Sequence, residues 1–266
     1  MTFEDLLDHL DRPGIDSDPD RDIIRCKPGL TLDEALALQI GVKRRRAAAG
    51  DRIVGHQASF TSRPMQAMFP DAPVPMVGTL LASLVRDNGA TVTLDADQCF
   101  VESEIAVLLD RDLEGPDLTN TEVLAAVAGF LPAIEVAPLR PGVREGKYSW
   151  AHMVAVQKAV GGYVVLGPRL TPPHLVDVSL EGALVSIDGE RRAGAIGFEA
   201  LGNPLTVVAS VARKLHAVGE KLHAGQIVIT GSLPPPQPIN RSTRDAAVQF
   251  TTLGTVSVRF SESPRG

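Results

Sequence analysis

Cysteine is scarce in this sequence: Cys26 and Cys99 are the only two in 266 residues. Two widely separated cysteines exclude a disulfide framework and a cysteine-rich zinc site. The sequence also lacks an apolar run approaching the ~20 residues that span a bilayer, and its first eight residues are acidic rather than basic. We therefore expect a cytoplasmic protein with no membrane span and no secretory leader.

Basic residues are also fewer than acidic ones. The chain has 26 Lys and Arg and 32 Asp and Glu, which gives a net charge of -6. Such a chain offers no broad cationic surface, so we expect no nucleic-acid partner. The one dense basic cluster, at residues 43–46, lies at the end of a predicted helix. There it complements the helix dipole rather than forming a binding patch.

Hydrophobic residues make up 44% of the chain, enough to build a substantial core. Local signals divide it into an N-terminal helical arm, residues 1–52, and a β-rich catalytic domain, residues 53–266. Thr31 and Glu34 form a capping box for the main helix of the arm. In the β-rich part, Asn88–Gly89 and Asp188–Gly189 are typical of hairpin turns. The prediction is an α+β fold with mostly antiparallel strands and a few inserted helices.

Two glutamates, Glu102 and Glu104, interrupt an apolar segment that otherwise has the character of a core strand. Side chains alternate across a strand, so both carboxylates share one face. Because buried carboxylates are costly and neighbouring ones repel, they must keep their protons, meet a cationic side chain or bind a metal. Glu135 lies in a similar apolar segment, and three such acids favour a shared site. Arg140 and Arg144 are the alternative, as structural partners that would neutralise the acids individually.

Ligand sets made only of oxygen favour Mg²⁺, Mn²⁺ or Ca²⁺ over zinc. A divalent ion held by three carboxylates would keep open positions for water or for a chelating 2-oxo acid. It would then act as a Lewis acid that stabilises an enolate.

Ten motifs are spread in order over nearly the whole chain, at residues 31–39, 50–62, 65–66, 78–80, 102–106, 131–135, 165–167, 201–204, 225–232 and 253–256. They resemble the motifs of the 2-keto-4-pentenoate hydratase family, which belongs to the fumarylacetoacetate hydrolase superfamily. The resemblance implies the mostly antiparallel β-roll of that superfamily. It also implies either a hydratase or a 2-oxo-3-hexenedioate decarboxylase of aromatic catabolism.

By this resemblance, Glu102, Glu104 and Glu135 correspond to the metal-binding acids of the family, which usually hold Mg²⁺ or Mn²⁺. The family pattern has an acid/base lysine where this chain has Gln57, and an aspartate where it has Met76. Neither replacement can transfer a proton. Either the metal site serves a different reaction or other residues have taken over proton transfer.

The catalytic candidates are therefore Gln57 itself, its neighbour His56, and Lys158, with His152 as a further alternative. If the segment is extended, the side chain of His56 points to the strand face opposite that of Gln57.

The predicted substrate-binding residues are Thr61, Ser62 and Arg140. The segment around Thr61 is closer to the hydratases than to the decarboxylases. The leading hypothesis is a homo-oligomeric, Mg²⁺- or Mn²⁺-dependent lyase of hydratase type that acts on a small 2-oxo or 2-hydroxydienoic acid. Decarboxylation, which needs less proton transfer, is the alternative. Two further alternatives are a repurposed member acting as a tautomerase, C–C hydrolase or biosynthetic cyclase, and a non-catalytic partner of an active homologue.

Overall fold

The computed structural model describes residues 1–11, 26–94, 98–138, 149–155 and 162–262. The described helices are α1 Phe3–Leu10, α2 Leu32–Ala48, α3 Arg63–Met68, α4 Asn120–Ala125, α5 Trp150–Ala155 and α6 Pro204–His216. The described strands are β1 Ile53–Ser59, β2 Met76–Leu81, β3 Val85–Asp87, β4 Thr91–Leu94, β5 Gln98–Leu109, β6 Val127–Pro138, β7 Tyr163–Leu166, β8 Gly182–Ile187, β9 Glu190–Ile196, β10 Ile227–Ile229, β11 Gln237–Asn240, β12 Asp245–Phe250 and β13 Thr255–Glu262. No described helix combines the length and the apolarity that crossing a membrane requires.

The helical arm is built on α2, whose predicted capping box is confirmed: the Thr31 hydroxyl accepts from Glu34 N–H, and the Glu34 carboxylate accepts from Thr31 N–H. The basic cluster at its end forms ion pairs within the protein. Arg45 pairs with Glu4 and Asp8 of α1, and Arg44 pairs with Glu220. The cluster therefore joins α2 to α1 within the arm and to Glu220 outside it. The division into an arm and a catalytic domain stays a prediction.

The main sheet has the strand order β2-β1-β10-β5-β6-β7-β3, and β11 pairs with the free part of β5. Its centre is the long antiparallel pair of β5 and β6, which runs in one register from Cys99 opposite Pro138 to Leu108 opposite Gly129; the register then shifts, so that Leu109 lies opposite Val127. Parallel pairing occurs between β1 and β10 and between β3 and β7.

The second sheet has the order β4-β13-β12-β8-β9. The hairpin at Asp188–Gly189 is confirmed, because β8 and β9 pair across it and both turn residues have positive φ, 48° and 79°. The hairpin at Asn88–Gly89 was a wrong prediction, since β3 enters the main sheet and β4 pairs with β13. The turn is present, but the Asn88 side chain accepts from Ser257 N–H and ties the turn to β13.

The two faces of β5 belong to different apolar clusters. Ile105 and Val107 belong to the large core, which also contains Val256 of the second sheet. The opposite face contributes to a smaller cluster made of Leu80, Ala106, Ala133, Val164, Ile227 and Ile229. Strand alternation places Glu102 and Glu104 on this second face, as predicted.

Candidate metal centre

Three carboxylates meet at one point on the face of β5 and β6 that is turned away from the large core. Glu102 and Glu104 come from β5, and Glu135 of β6 lies directly opposite Glu102 in the antiparallel register. One oxygen from each carboxylate lies within 4.8 Å of the other two. Glu104 is buried, whereas Glu102 and Glu135 are half-buried and border a cavity. The register of a single strand pair therefore brings the three acids together.

The three acids are electrostatically unfavourable without a cation. Burial raises the pKa of Glu102 to about 8, and the charge of Glu135 adds to that rise. Burial also raises the pKa of Glu135 to about 7. The pKa of Glu104 lies well above its usual range because of burial first and then the charges of both neighbours. No lysine or arginine in the described part of the chain forms an ion pair with any of them.

Glu104 is fixed by the backbone of the segment that follows β10. Gly231 N–H donates to Glu104 Oε2 at 2.6 Å. Gly231 has a φ of 92°, and a Cβ at this position would collide with Thr61 Oγ1, so only glycine fits. Thr61 in turn donates from its hydroxyl to the carbonyl of Thr230 at 2.8 Å. Thr61 thus positions the segment that holds Glu104.

A second glycine leaves room for Glu135. A Cβ at Gly162 would lie 2.6 Å from the Val136 carbonyl oxygen and 3.1 Å from Glu135 Oε1. A larger residue at this position would displace either the strand or the carboxylate.

The donor set fits a hard divalent cation such as Mg²⁺ or Mn²⁺. It consists only of carboxylate oxygens, close enough to share one ion, and it buries negative charge that a divalent cation would neutralise. Glu102, Glu104 and Glu135 are the residues that would hold the ion.

The cavity beside the acids has a volume of about 300 Å³. Its described lining contains the polar residues Gln57, Ser59, Glu102, Glu135 and Ser232, and the apolar residues Phe60, Met65, Met68, Phe69, Met76, Phe100, Ala137, Pro138, Trp150, Met153, Pro235 and Pro236. No lysine, arginine or histidine is present among these lining residues. The acids are therefore the only ionisable groups of the lining that the structure describes.

An aromatic cluster forms part of the wall. The rings of Phe60, Phe69 and Trp150 pack edge to face, with centroid separations of 5.2 to 6.0 Å. Phe60 has a φ of 62°, which is rare for a residue other than glycine and costs on the order of 1–3 kcal/mol. Gln66 Nε2 donates to the carbonyls of Phe60 and Thr61, both at 3.1 Å, and holds this conformation.

Of the two neighbouring catalytic candidates, only Gln57 faces the cavity. His56 lies on the opposite face of β1, is 5% exposed and has a buried Nδ1 with no partner among the described residues. Burial lowers the pKa of His56 to about 4, with a smaller contribution from His223, so its ring is neutral near pH 7.

The other candidates lie apart from the cavity or outside the described residues. Thr61 and Ser62 are buried and do not line the cavity. His152 contacts Ser149 Oγ and the carbonyl of Lys27, and the second contact fastens α5 to the segment that precedes α2. The remaining candidates, Arg140, Arg144 and Lys158, fall outside the residues that the structure describes.

The apolar wall was not predicted from the sequence. Its members come from α3, β2, β5, β6 and α5 and from the segments that follow β1 and precede β11, so no local pattern links them. One available signal was composition: four of the five methionines in the chain line this one cavity.

Comparison with known proteins agrees with this architecture. Residues 48–261 match the family described as fumarylacetoacetate (FAA) hydrolase C-terminal. The chain is 32% identical to a 2-hydroxyhexa-2,4-dienoate hydratase of Comamonas testosteroni over 88% of each chain. It is 27% identical to a 4-oxalocrotonate decarboxylase of Pseudomonas putida, over 96% of this chain and 95% of the relative.

Among solved structures, the 4-oxalocrotonate decarboxylase from Pseudomonas putida G7, complexed with magnesium and adipate, superposes with a TM-score of 0.85. The match has 25% identity and covers 98% of both chains. The predicted fold class is confirmed.

Proposed function

The chain belongs to the fumarylacetoacetate hydrolase family, and on this premise we propose that it is a divalent-metal-dependent lyase acting on a small 2-oxo or 2-hydroxydienoic acid. The observation that carries the proposal is the cluster of three carboxylates at the edge of a cavity. Hydration is the first choice of reaction, because the hydratase relatives reach 32% identity over most of the chain. We further propose that the enzyme is a cytoplasmic homo-oligomer.

In this proposal Glu102, Glu104 and Glu135 hold Mg²⁺ or Mn²⁺. The ion, when bound, would polarise the oxygens of a 2-oxo acid and stabilise the enolate. Gln57 lines the cavity and can both donate and accept a hydrogen bond, so its role would be to orient the substrate or a water molecule. An amide cannot transfer a proton.

Proton transfer in a hydration therefore needs another group. We propose Lys158 for this role and Arg140 for binding the carboxylate of the 2-oxo acid head; both lie outside the described residues. Ser62 remains a proposed substrate-binding residue that would have to become accessible, because its side chain is buried. The proposal does not include His56, because its ring faces away from the cavity.

Decarboxylation is the second candidate, and one observation favours it. The described cavity lining contains no lysine or histidine, and loss of CO₂ requires no base to remove a C–H proton. The extensive superposition with a decarboxylase agrees with this alternative.

Two parallel assays with purified protein separate the candidates. One follows the ultraviolet absorbance of 2-hydroxypenta-2,4-dienoate, and the other measures CO₂ release from 2-oxo-3-hexenedioate, each with Mg²⁺ or with chelator. A metal-dependent loss of the dienol absorbance supports the hydratase reaction, and metal-dependent CO₂ release supports the decarboxylase reaction.

The Glu102→Gln/Glu104→Gln variant should lose either activity, whereas the exposed control Glu114→Gln should keep it. Activity that survives in the double variant would contradict the proposed site. Turnover only after mixing with a family hydratase would instead indicate a non-catalytic partner.

A further inference from the structure

The cavity wall is far more apolar than a site for a doubly charged substrate requires. Twelve of the 17 lining residues that the structure describes are apolar, and beyond Glu102 and Glu135 this described lining has no charged side chain. The tail of a ligand whose head lies at the carboxylates would therefore contact methionine, aromatic and proline side chains. A second carboxylate in these surroundings would lose its hydration without gaining a cationic partner from the described wall.

The wall is also held in place before any ligand binds. Gln66 fixes Phe60 in its left-handed conformation, and Phe60 packs against Trp150 at a centroid distance of 5.2 Å. The helix that carries Trp150 is fastened by the buried side chain of Gln39, which donates to the Val154 carbonyl at 2.7 Å. The same side chain accepts from Thr79 N–H of β2 at 2.8 Å. A preorganised apolar wall loses less entropy when a ligand binds.

Methionine makes this wall adaptable. Met65, Met68, Met76 and Met153 line the cavity, and their unbranched thioether side chains adjust to tails of different shape. The wall is thus suited to apolar tails as a class rather than to one tail.

We propose that this cavity selects 2-oxo or 2-hydroxydienoic acids that carry an uncharged alkyl or aryl tail of several carbons, and that it discriminates against dicarboxylates. This inference rests on the proposed function, because the carboxylate cluster must hold the ion that binds the 2-oxo acid head. The apolar wall then binds the tail by excluding water from it.

The lone tryptophan provides a direct readout of binding that does not depend on turnover. Trp150 is the only tryptophan in the chain and lines the cavity, so its fluorescence reports occupancy. The straight-chain acids 2-oxobutanoate, 2-oxohexanoate and 2-oxooctanoate are titrated into the protein. Each titration is done once in saturating Mg²⁺ and once in the presence of chelator. The dicarboxylate 2-oxoadipate is the length-matched partner of 2-oxohexanoate.

We expect the Kd to fall about three- to fourfold per added methylene, which corresponds to about 0.8 kcal/mol. We expect 2-oxoadipate to bind at least about tenfold more weakly than 2-oxohexanoate. Metal-dependent binding that is flat across the series, or that favours 2-oxoadipate, would overturn this inference and leave the proposed function standing. If no acid of the set binds in a metal-dependent way, the proposed function fails, and this inference fails with it.

A pair of variants at one wall position sharpens the result. Met65→Lys introduces a cation into the wall and should shift the preference towards 2-oxoadipate, whereas Met65→Leu keeps an apolar side chain of similar size and should retain the preference for 2-oxohexanoate. Leu175→Lys, at an exposed position outside the cavity, should change neither Kd. If Met65→Lys does not fold, the wild-type series alone decides the question.

Discussion

The two faces of the central strands β5 and β6 carry side chains of different chemical character. On one face, Ile105 and Val107 are fully buried in the large core. On the other face, Glu102, Glu104 and Glu135 bring three carboxyls together. The first face lowers the free energy of the folded state by burying apolar surface, whereas the second raises it until a cation is bound. Because adjacent residues serve these opposite purposes, substitutions one position apart should have separable effects.

The largest expected effect is on activity, from Glu104→Gln. This variant removes one charge of the proposed metal site at nearly constant volume, so we expect activity to fall by at least about 100-fold, or about 2.7 kcal/mol of transition-state stabilisation. Ser103→Ala is the control on the other face of the same strand, where the hydroxyl is buried without a partner among the described residues. Steady-state kinetics should leave Ser103→Ala close to wild type. Equal losses in both variants would show that the two faces are not separable.

The next effect is on stability, from Ile105→Ala on the core face. Ile105 is 0% exposed, and its truncation should lower the free energy of unfolding by about 2–5 kcal/mol. Glu104→Gln in the metal-free protein should lower it by much less, because that variant removes a carboxyl that is unfavourable when ionised. Urea denaturation of both variants with chelator measures the difference. A larger stability loss for Glu104→Gln would contradict the account of the acid face.

The acid face also predicts an unusual dependence of stability on pH. Burial raises the pKa of Glu102 to about 8 and of Glu135 to about 7, so the folded metal-free protein keeps protons that the unfolded chain has released. Its free energy of unfolding should therefore fall as pH rises from about 5 to about 8, by up to about 1.4 kcal/mol per pH unit for each protonated carboxyl.

Saturating Mg²⁺ or Mn²⁺ binds the deprotonated acids, so it should reverse this trend. Thermal unfolding at several pH values, with and without the ion, tests both statements. The Glu102→Gln/Glu135→Gln variant should show a flatter profile. Increasing stability of the metal-free wild type over the same pH range would exclude raised pKa values in these carboxyls.

The smallest expected effect comes from His56, which lies beside Gln57 but on the other strand face. His56→Gln should change kcat/KM by less than about threefold, and the pH profile should keep its shape, because the ring is neutral and faces away from the cavity. A loss of more than tenfold in kcat/KM, together with a changed pH profile, would instead indicate that His56 takes part in the reaction.

The sequence predicted those features of the two strand faces that depend on local rules. Strand alternation placed Glu102 and Glu104 on one face, the apolar segment around Glu135 added the third acid, and the resemblance to a known family assigned all three to a metal site. The turn at Asp188–Gly189 joined the expected strands, whereas the strands beside Asn88–Gly89 paired elsewhere, because a turn signal specifies a reversal but not the pairing partners.

The cavity wall could not be predicted in the same way. Phe60 and Trp150 are 90 positions apart in the sequence, and their rings meet because folding brings the residue after β1 next to the start of α5. The left-handed conformation of Phe60 depends on contacts from Gln66, which no turn motif indicates.

The central claim is that the acid face of β5 and β6 is a divalent metal site. It is tested most directly by isothermal titration of metal-free protein with Mn²⁺ at about pH 8, where the ion competes least with protons. The account predicts one ion per chain for the wild type and for the control Ser103→Ala, and no measurable binding for Glu102→Gln/Glu104→Gln. Binding that is absent from the wild type, or unchanged in the double variant, would contradict it.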